Sequence, residues 1–206
     1  MGQYYRTLLK EGNGKLTVYN RNIIVDGEEE RIGSKLTEHS WWHNPFVNAV
    51  CQRIYKSEKR FRVIWMGDYA NQFADRLDGK PHNGLTPKKI RHYYNRCWRK
   101  TNTTIAIPTT DFTLDGKFII NHSKRVYVTC SNYYKDSVKS NGWCLHPLPL
   151  FTCIGNGLGC GDYNKPTIGS TVDLIGMWAW DEISIEDQAP AKEENYAEIF
   201  PTFKEE

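Results

Sequence analysis

The sequence predicts a single α+β domain over residues 1–185, a strand-rich mixed or antiparallel sheet with two or three helices, followed by an acidic C-terminal tail over 186–206. Three observations predict it. Short alternating or wholly apolar runs, punctuated by Gly, Asn and Asp, recur along the chain as strands joined by turns do. Two segments carry apolar residues at a 3.6-residue period behind a capping residue and a proline. Strands and helices do not alternate regularly, which favours α+β over a doubly wound parallel sheet.

Taken in order, residues 3–9 read as an aromatic and aliphatic strand, 11–14 as a turn, 15–19 as a second strand and 23–25 as a short apolar run stopped by Asp26-Gly27. Residues 28–31 read as a charged loop. Asn44 caps a helix over 44–55 with Pro45 at its first position, and Phe46, Val47, Val50, Ile54 and Tyr55 share one stripe. Residues 62–66 read as a buried strand ended by Gly67-Asp68-Tyr69. Thr86-Pro87 opens a helix running to about Trp98. Residues 118–120 and 125–129 flank 121–124 as a hairpin. Further strands are expected at 143–145, 150–153 and 172–175. Residues 177–185 close the compact part, with Trp178 and Trp180 on one strand face. From 186 on, prolines and charges predict a segment that lies over the surface or frays.

Composition narrows the function. With 39% hydrophobic and 25% charged residues, 206 residues can bury a core without covalent staples. No window approaches 18 apolar residues, so no transmembrane helix is expected. The first residues lack a signal peptide's apolar stretch, and Arg6 stands where myristoylation needs Ser or Thr, so a cytoplasmic protein is expected. Six cysteines at irregular gaps do not resemble zinc-finger spacings; reduced, buried thiols are expected, with no metal and no cofactor. Net charge is +3, yet residues 181–206 carry nine acidic residues and two lysines, leaving +10 on the body. Such a tail is either a solvated terminus or a screen for a basic surface. The modest total argues against nucleic acid as a partner.

Five features carry candidate chemistry. In 155–163, Gly155, Gly157, Gly159 and Gly161 alternate and lead to Asp162 and Tyr163, with Asn156 between the first two. The spacing matches neither the dinucleotide fingerprint nor a P-loop. It suits either a bulged turn or a loop whose bare N–H groups hold an anion. Asp68, with Tyr69, follows a buried strand, where it either caps a helix through 69–77 or reaches a ligand. His39, His122 and His146 are isolated in sequence. Each reads as a satisfied polar residue or, if they converge with Asp68 or Asp162, as a general base. The segment 88–100 has six cations interleaved with Tyr93, Tyr94 and Trp98, and reads as a solvated helix face or a phosphate-binding one. Aromatic residues make 13% of the chain; most are expected in the core, and Trp178 is a candidate stacking platform.

The segments 1–5, 35–40, 65–70, 121–122, 146–150, 155–163 and 175–178 also carry a resemblance. The chain resembles an uncharacterised family of phage, bacterial and fungal proteins opening Met-Gly-Gln-Tyr-aromatic. It departs from that family's pattern at Cys160, Met177 and Trp180. The resemblance implies an accessory protein that interferes with host defence signalling, and it implies no established activity. Together, residues and resemblance point to non-catalytic binding of a small phosphorylated, nucleotide-like ligand. Lys124 or Arg125 and the 155–161 amides would hold phosphate, Asp68 and Asp162 would take ribose or base donors, and an aromatic ring would stack. The alternatives are a hydrolase or transferase with a His/Asp site, and a protein-interaction module using the tail or the basic helix.

Overall fold

The computed structural model describes residues 3–75, 84–100, 104–136, 145–155 and 175–199. Among these residues one mixed sheet contains β1 (Tyr5–Glu11), β2 (Leu16–Val25), β3 (Glu28–Arg31), β4 (Phe61–Gly67), β5 (Thr104–Pro108), β6 (Phe118–Asn121), β7 (Val126–Thr129), β8 (Cys153–Ile154), β9 (Glu182–Glu186) and β10 (Ala197–Glu198). Its main order is β10-β7-β6-β9-β4-β1-β2-β3, with β5 parallel beside β2 and β8 parallel beside β4. The helices are α1 (Leu36–His39), α2 (Pro45–Tyr55), α3 (Ala70–Asp75), α4 (Pro87–Tyr94), α5 (Cys130–Asp136) and α6 (Pro147–Thr152). The α+β class is as expected, and the described helices exceed the two or three foreseen. α1, α3, α5 and α6 have seven residues or fewer, too few to display a periodic stripe.

Strand β4 organises the core. Alternate side chains point to opposite faces of a strand. Phe61, Val63 and Trp65 therefore join α2, α5 and α6 in one cluster, and Ile64 and Met66 join Ile90, Tyr93, Cys97 and Trp180 in another. With helices on both faces, β4 is buried almost throughout, and its sequence reads as an apolar run rather than an alternation. Its outer edge is completed by three separate segments. Trp65 and Met66 pair with β8, the Val63 carbonyl accepts from Trp180 N at 2.8 Å, and Phe61 and Arg62 pair with β9.

The two foreseen helices form for the reasons their sequences give. The Asn44 side chain accepts from the N–H groups of Phe46 and Val47, at 3.0 and 3.2 Å, and Pro45 follows. Thr86 accepts from Lys89 N at 3.3 Å ahead of Pro87. α4 passes at Asn95 into a π-helical turn, Asn95–Arg99, so the helical path does reach Trp98. Asn44 is 1% exposed and also donates to the carbonyl of His39. Asn44→Ala is therefore expected to cost about 2 kcal/mol, the upper end for a cap, in urea unfolding monitored by circular dichroism.

Several expectations are corrected. β2 is one ten-residue strand, spanning what reads as two runs. Residues 28–31 are not a loop: Asp26 and Gly27 both take positive φ, 49° and 89°, and this turn folds β3 back onto β2. Residues 150–153 are not a strand. His146 caps α6 with its ring and Pro147 sits at the first helical position, so the strand is confined to Cys153–Ile154. Trp178 and Trp180 share no strand face. Residues 175–180 form turns, Trp180 takes a φ of 68°, and the two indoles enter opposite clusters. Beyond 186 the described residues are mostly exposed, and only the two-residue β10 adds a parallel pairing with β7, with Ile199 packed against the core. The expected strands at 143–144 and 172–174 lie outside the described residues. Among the described residues no helix is long and apolar enough to cross a membrane.

Candidate functional site

Parallel strands β4 and β8 end side by side in glycines, Gly67 and Gly155. The Gln3 side chain is completely buried against both. A Cβ on Gly67 would lie 2.5 Å from its Nε2, and one on Gly155 2.7 Å from it. Gly155 takes a φ of 100°, so both the close approach and the backbone require glycine there. Asn156, Gly157, Gly159, Gly161, Asp162 and Tyr163 lie outside the described residues. Asp68 and Tyr69 follow Gly67, and Ala70 contacts Gly155, so the structure does bring the Asp68 turn to the start of the glycine segment. The Asp68 carboxylate accepts from Tyr4 N at 3.2 Å, and burial pushes its carboxyl above the ordinary value. Tyr94 donates its hydroxyl to the Asp68 carbonyl at 3.0 Å. Beyond it Asn71, Arg91, Tyr94, Asn95 and Arg99 surround a hollow of about 220 Å³. Trp178 is fully buried against Phe151, ring centroids 4.4 Å apart, and offers no open face for stacking.

The three histidines occupy three unconnected places. His39 Nδ1 accepts from Lys35 N at 3.1 Å and its ring fills the space beside Gly33. His146 is fully buried. Its Nδ1 accepts from Leu148 N at 3.2 Å, its Nε2 lies 3.5 Å from Cys51 Sγ, and its ring stacks on Trp42 at 5.0 Å. Burial, helped by His43, lowers its pKa to about 3, while burial raises the Cys51 thiol well above its ordinary value. Both stay neutral, so no thiolate–imidazolium pair forms. Because the unfolded imidazole takes a proton below its ordinary pKa and the folded one refuses it until about 3, stability falls as pH drops through that window. His146 is expected to contribute up to about 1.4 kcal/mol per pH unit to this slope, and His146→Asn to remove that share while leaving the smaller shares of His39 and His122, in urea unfolding compared at about pH 7 and about pH 4.5.

His122 sits in a hydrogen-bond chain. Ser184 donates to Glu186 Oε1 at 2.6 Å, so its oxygen accepts from His122 Nε2 at 2.7 Å, and Tyr196 donates to Nδ1 at 2.9 Å. The ring thus points its N–H, not its lone pair, at the serine. Burial lowers the His122 pKa, Arg60 adds to the fall, and Glu186, Glu182 and Glu194 oppose it. Neither His122 nor His146 shares a hydrogen-bond partner with Asp68. Of the two cations expected to hold phosphate, Lys124 is ion-paired with Asp181, which also accepts from Asn121 at 2.8 Å. Arg125 is exposed on the β6–β7 turn with a φ of 53°.

A cation-rich cleft lies at the other end of β4. Lys10, Gly12, Lys59, Arg60, Arg62 and Glu182 line about 480 Å³ together with Glu11 and Asn13. In the β1–β4 register Lys10 stands directly opposite Arg62. Like charges across a strand pair are destabilising, so the pairing marks a site that tolerates a cost. Arg62 is held in place, with one guanidinium nitrogen on the Trp180 carbonyl and another on Glu182, both at 3.0 Å. Glu11 is drawn away to Arg53 at 3.2 Å. Lys10, Lys59 and Arg60 have no carboxylate partner among the described residues. Lys10 lies 5.8 Å from the centre of the Trp180 ring, which stacks on Tyr93 at 4.5 Å. Sequence reading misses this cleft because its cations come from β1, from the α2–β4 turn and from the start of β4. The basic run 59–62 was the available signal, and only strand register adds Lys10 to it. Among the described residues no group of His, Cys, Asp or Glu is placed to hold a metal. Compared with protein-family models, with curated proteins and with solved structures, the chain matches none.

Proposed function

We propose that this protein binds a small phosphorylated, nucleotide-like molecule without altering it, with the phosphates in the cleft of Lys10, Lys59, Arg60 and Arg62. The carrying observation is that three of these cations lack a carboxylate partner among the described residues while the fourth is fixed by two hydrogen bonds. Such a cleft attracts anions, and its volume of about 480 Å³ lies in the range of small-ligand sites. Binding without turnover is supported by His39, His122 and His146, each of which commits its ring to internal contacts. The hollow beside Arg91 and Arg99, next to Asp68, is the runner-up location for the same ligand class. The resemblance to phage proteins adds a setting, the host cytoplasm, where sequestering a nucleotide defence signal would be the benefit.

Calorimetry against linear and cyclic nucleotides, pyrophosphate and unphosphorylated nucleosides tests this reading. Binding is expected for phosphorylated compounds, weakening as salt rises, and chromatography after denaturation is expected to return them intact. Absence of heat from every phosphorylated compound, with the protein folded, would overturn it.

A further inference from the structure

The basic cleft continues into a second one. Tyr55, Glu58, Lys59, Ser184 and Glu186 are among the residues lining an adjoining space of about 500 Å³, and Lys59 lines both. The divider is the turn after α2. The Lys56, Ser57 and Glu58 amides donate to the carbonyls of Gln52, Ile54 and Tyr55, at 2.8, 3.3 and 3.2 Å, and the Ser57 hydroxyl accepts from Lys59 N at 3.2 Å. Glu58 is held there at a φ of 52°, outside the usual region for its side chain. One short turn therefore presents Glu58 to the second space, Arg60 to the first and Lys59 to both.

The two spaces differ in charge. Four cations line the first against Glu11 and Glu182, which pair with Arg53 and Arg62, whereas the second sets Lys56 and Lys59 against Glu58, Glu186 and Asp187. Asp187 is already engaged by Lys117 and Tyr55, and Glu186 accepts from Ser184. Glu58 has no cationic partner among the described residues. A carboxylate has two acceptor oxygens side by side and best fits two adjacent N–H donors. Among nucleobases, the edge of guanine carrying the ring N–H and the exocyclic amine offers that pair. The corresponding edges of adenine and cytosine place a lone pair beside the amine, and uracil has no amine.

We infer that the ligand straddles this turn, with its phosphates among Lys10, Arg60 and Arg62 and a guanine-type base presenting paired donors to Glu58. The inference rests on the phosphate-binding reading above and names the base that goes with it. The test is calorimetry of the full chain with guanosine, adenosine and uridine triphosphates and with inorganic tripolyphosphate as the base-free probe. The guanosine compound is expected to bind about tenfold tighter than the uridine one, and Glu58→Gln is expected to bring that ratio near one while leaving tripolyphosphate affinity in place. Equal affinity for all four probes, a preference for adenosine, or a guanosine preference that survives Glu58→Gln would overturn the inference and leave phosphate binding standing. Silence from all four probes would remove both.

Discussion

Arg60→Glu is expected to weaken binding of a nucleoside triphosphate by about a hundredfold, through loss of one charge-assisted contact and gain of one repulsion. Arg60 lies in the cleft with Lys10, Lys59 and Arg62, and no carboxylate among the described residues neutralises it. Arg60→Lys keeps the charge and is expected to retain most of the affinity. Arg125→Glu, on the exposed β6–β7 turn, makes the same change in net charge away from the cleft and is expected to act weakly. Calorimetry at two salt concentrations separates the local contact from the general field, because the field is the part that salt screens. Arg60→Glu also has a signature independent of any ligand. Arg60 helps hold the His122 pKa down, so the reversed charge is expected to raise it, as proton resonance of the imidazole would report. A variant with normal affinity and a raised His122 pKa would show that Arg60 stands where described but does not serve the ligand.

Gly176→Ala is expected to be strongly destabilising, at about 3 kcal/mol, lowering Tm by roughly 10 °C. Gly176 takes a φ of 73°, and a Cβ there would lie 2.5 Å from the carbonyl oxygen of Cys153. That oxygen belongs to β8, which is bonded to β4 through Trp65 and Met66, and Gly176 N is itself tied to the Leu150 carbonyl at 2.8 Å. Neither side of the collision can yield cheaply. At Gly67, which has no positive φ to add strain, the nearest colliding atoms belong to the buried Gln3 side chain, at 2.5 Å, with the Ile154 carbonyl oxygen at 3.0 Å, so a smaller loss is expected. Gly12→Ala is the control, with nothing within 4 Å of the added carbon, and is expected to shift stability by less than about 0.5 kcal/mol. Thermal unfolding followed by circular dichroism ranks the three.

What the sequence revealed and what it concealed follow from how local each cause is. α2 and α4 were legible because cap, proline and apolar stripe lie within a few residues of one another. β3 was not, because Glu-Glu-Glu-Arg has no apolar pattern and is a strand only through the turn at Asp26-Gly27 and its pairing with β2. α6 was concealed by being apolar at its first five positions. Its six residues show no period, and all are buried between β4 and the turns at 175–180. The site was not legible. Gly155 meets the Asp68 turn only through the parallel pairing of β8 with β4, and the basic cleft depends on register, which sets Lys10 against Arg62 and is invisible from either alone. His122 and His146 looked like chemistry because partners of theirs are distant. Tyr196 and Ser184 lie beyond residue 180, and Cys51 lies on a helix far before His146.

The outer edge of β4 sets the order in which this molecule can be completed. Its partners there, β8, Trp180 and β9, all come from after residue 152, and in the main sheet path the β6–β7 hairpin reaches β4 only through β9. During synthesis the ribosome therefore releases β1, β2 and β4 with an open flank, and a hairpin with nothing yet to join it to them. Closure waits for residues 182–186 to emerge, so the native assembly is dominated by sequence-distant contacts. Such contacts make folding slow and leave the nascent chain dependent on protection from aggregation while it waits.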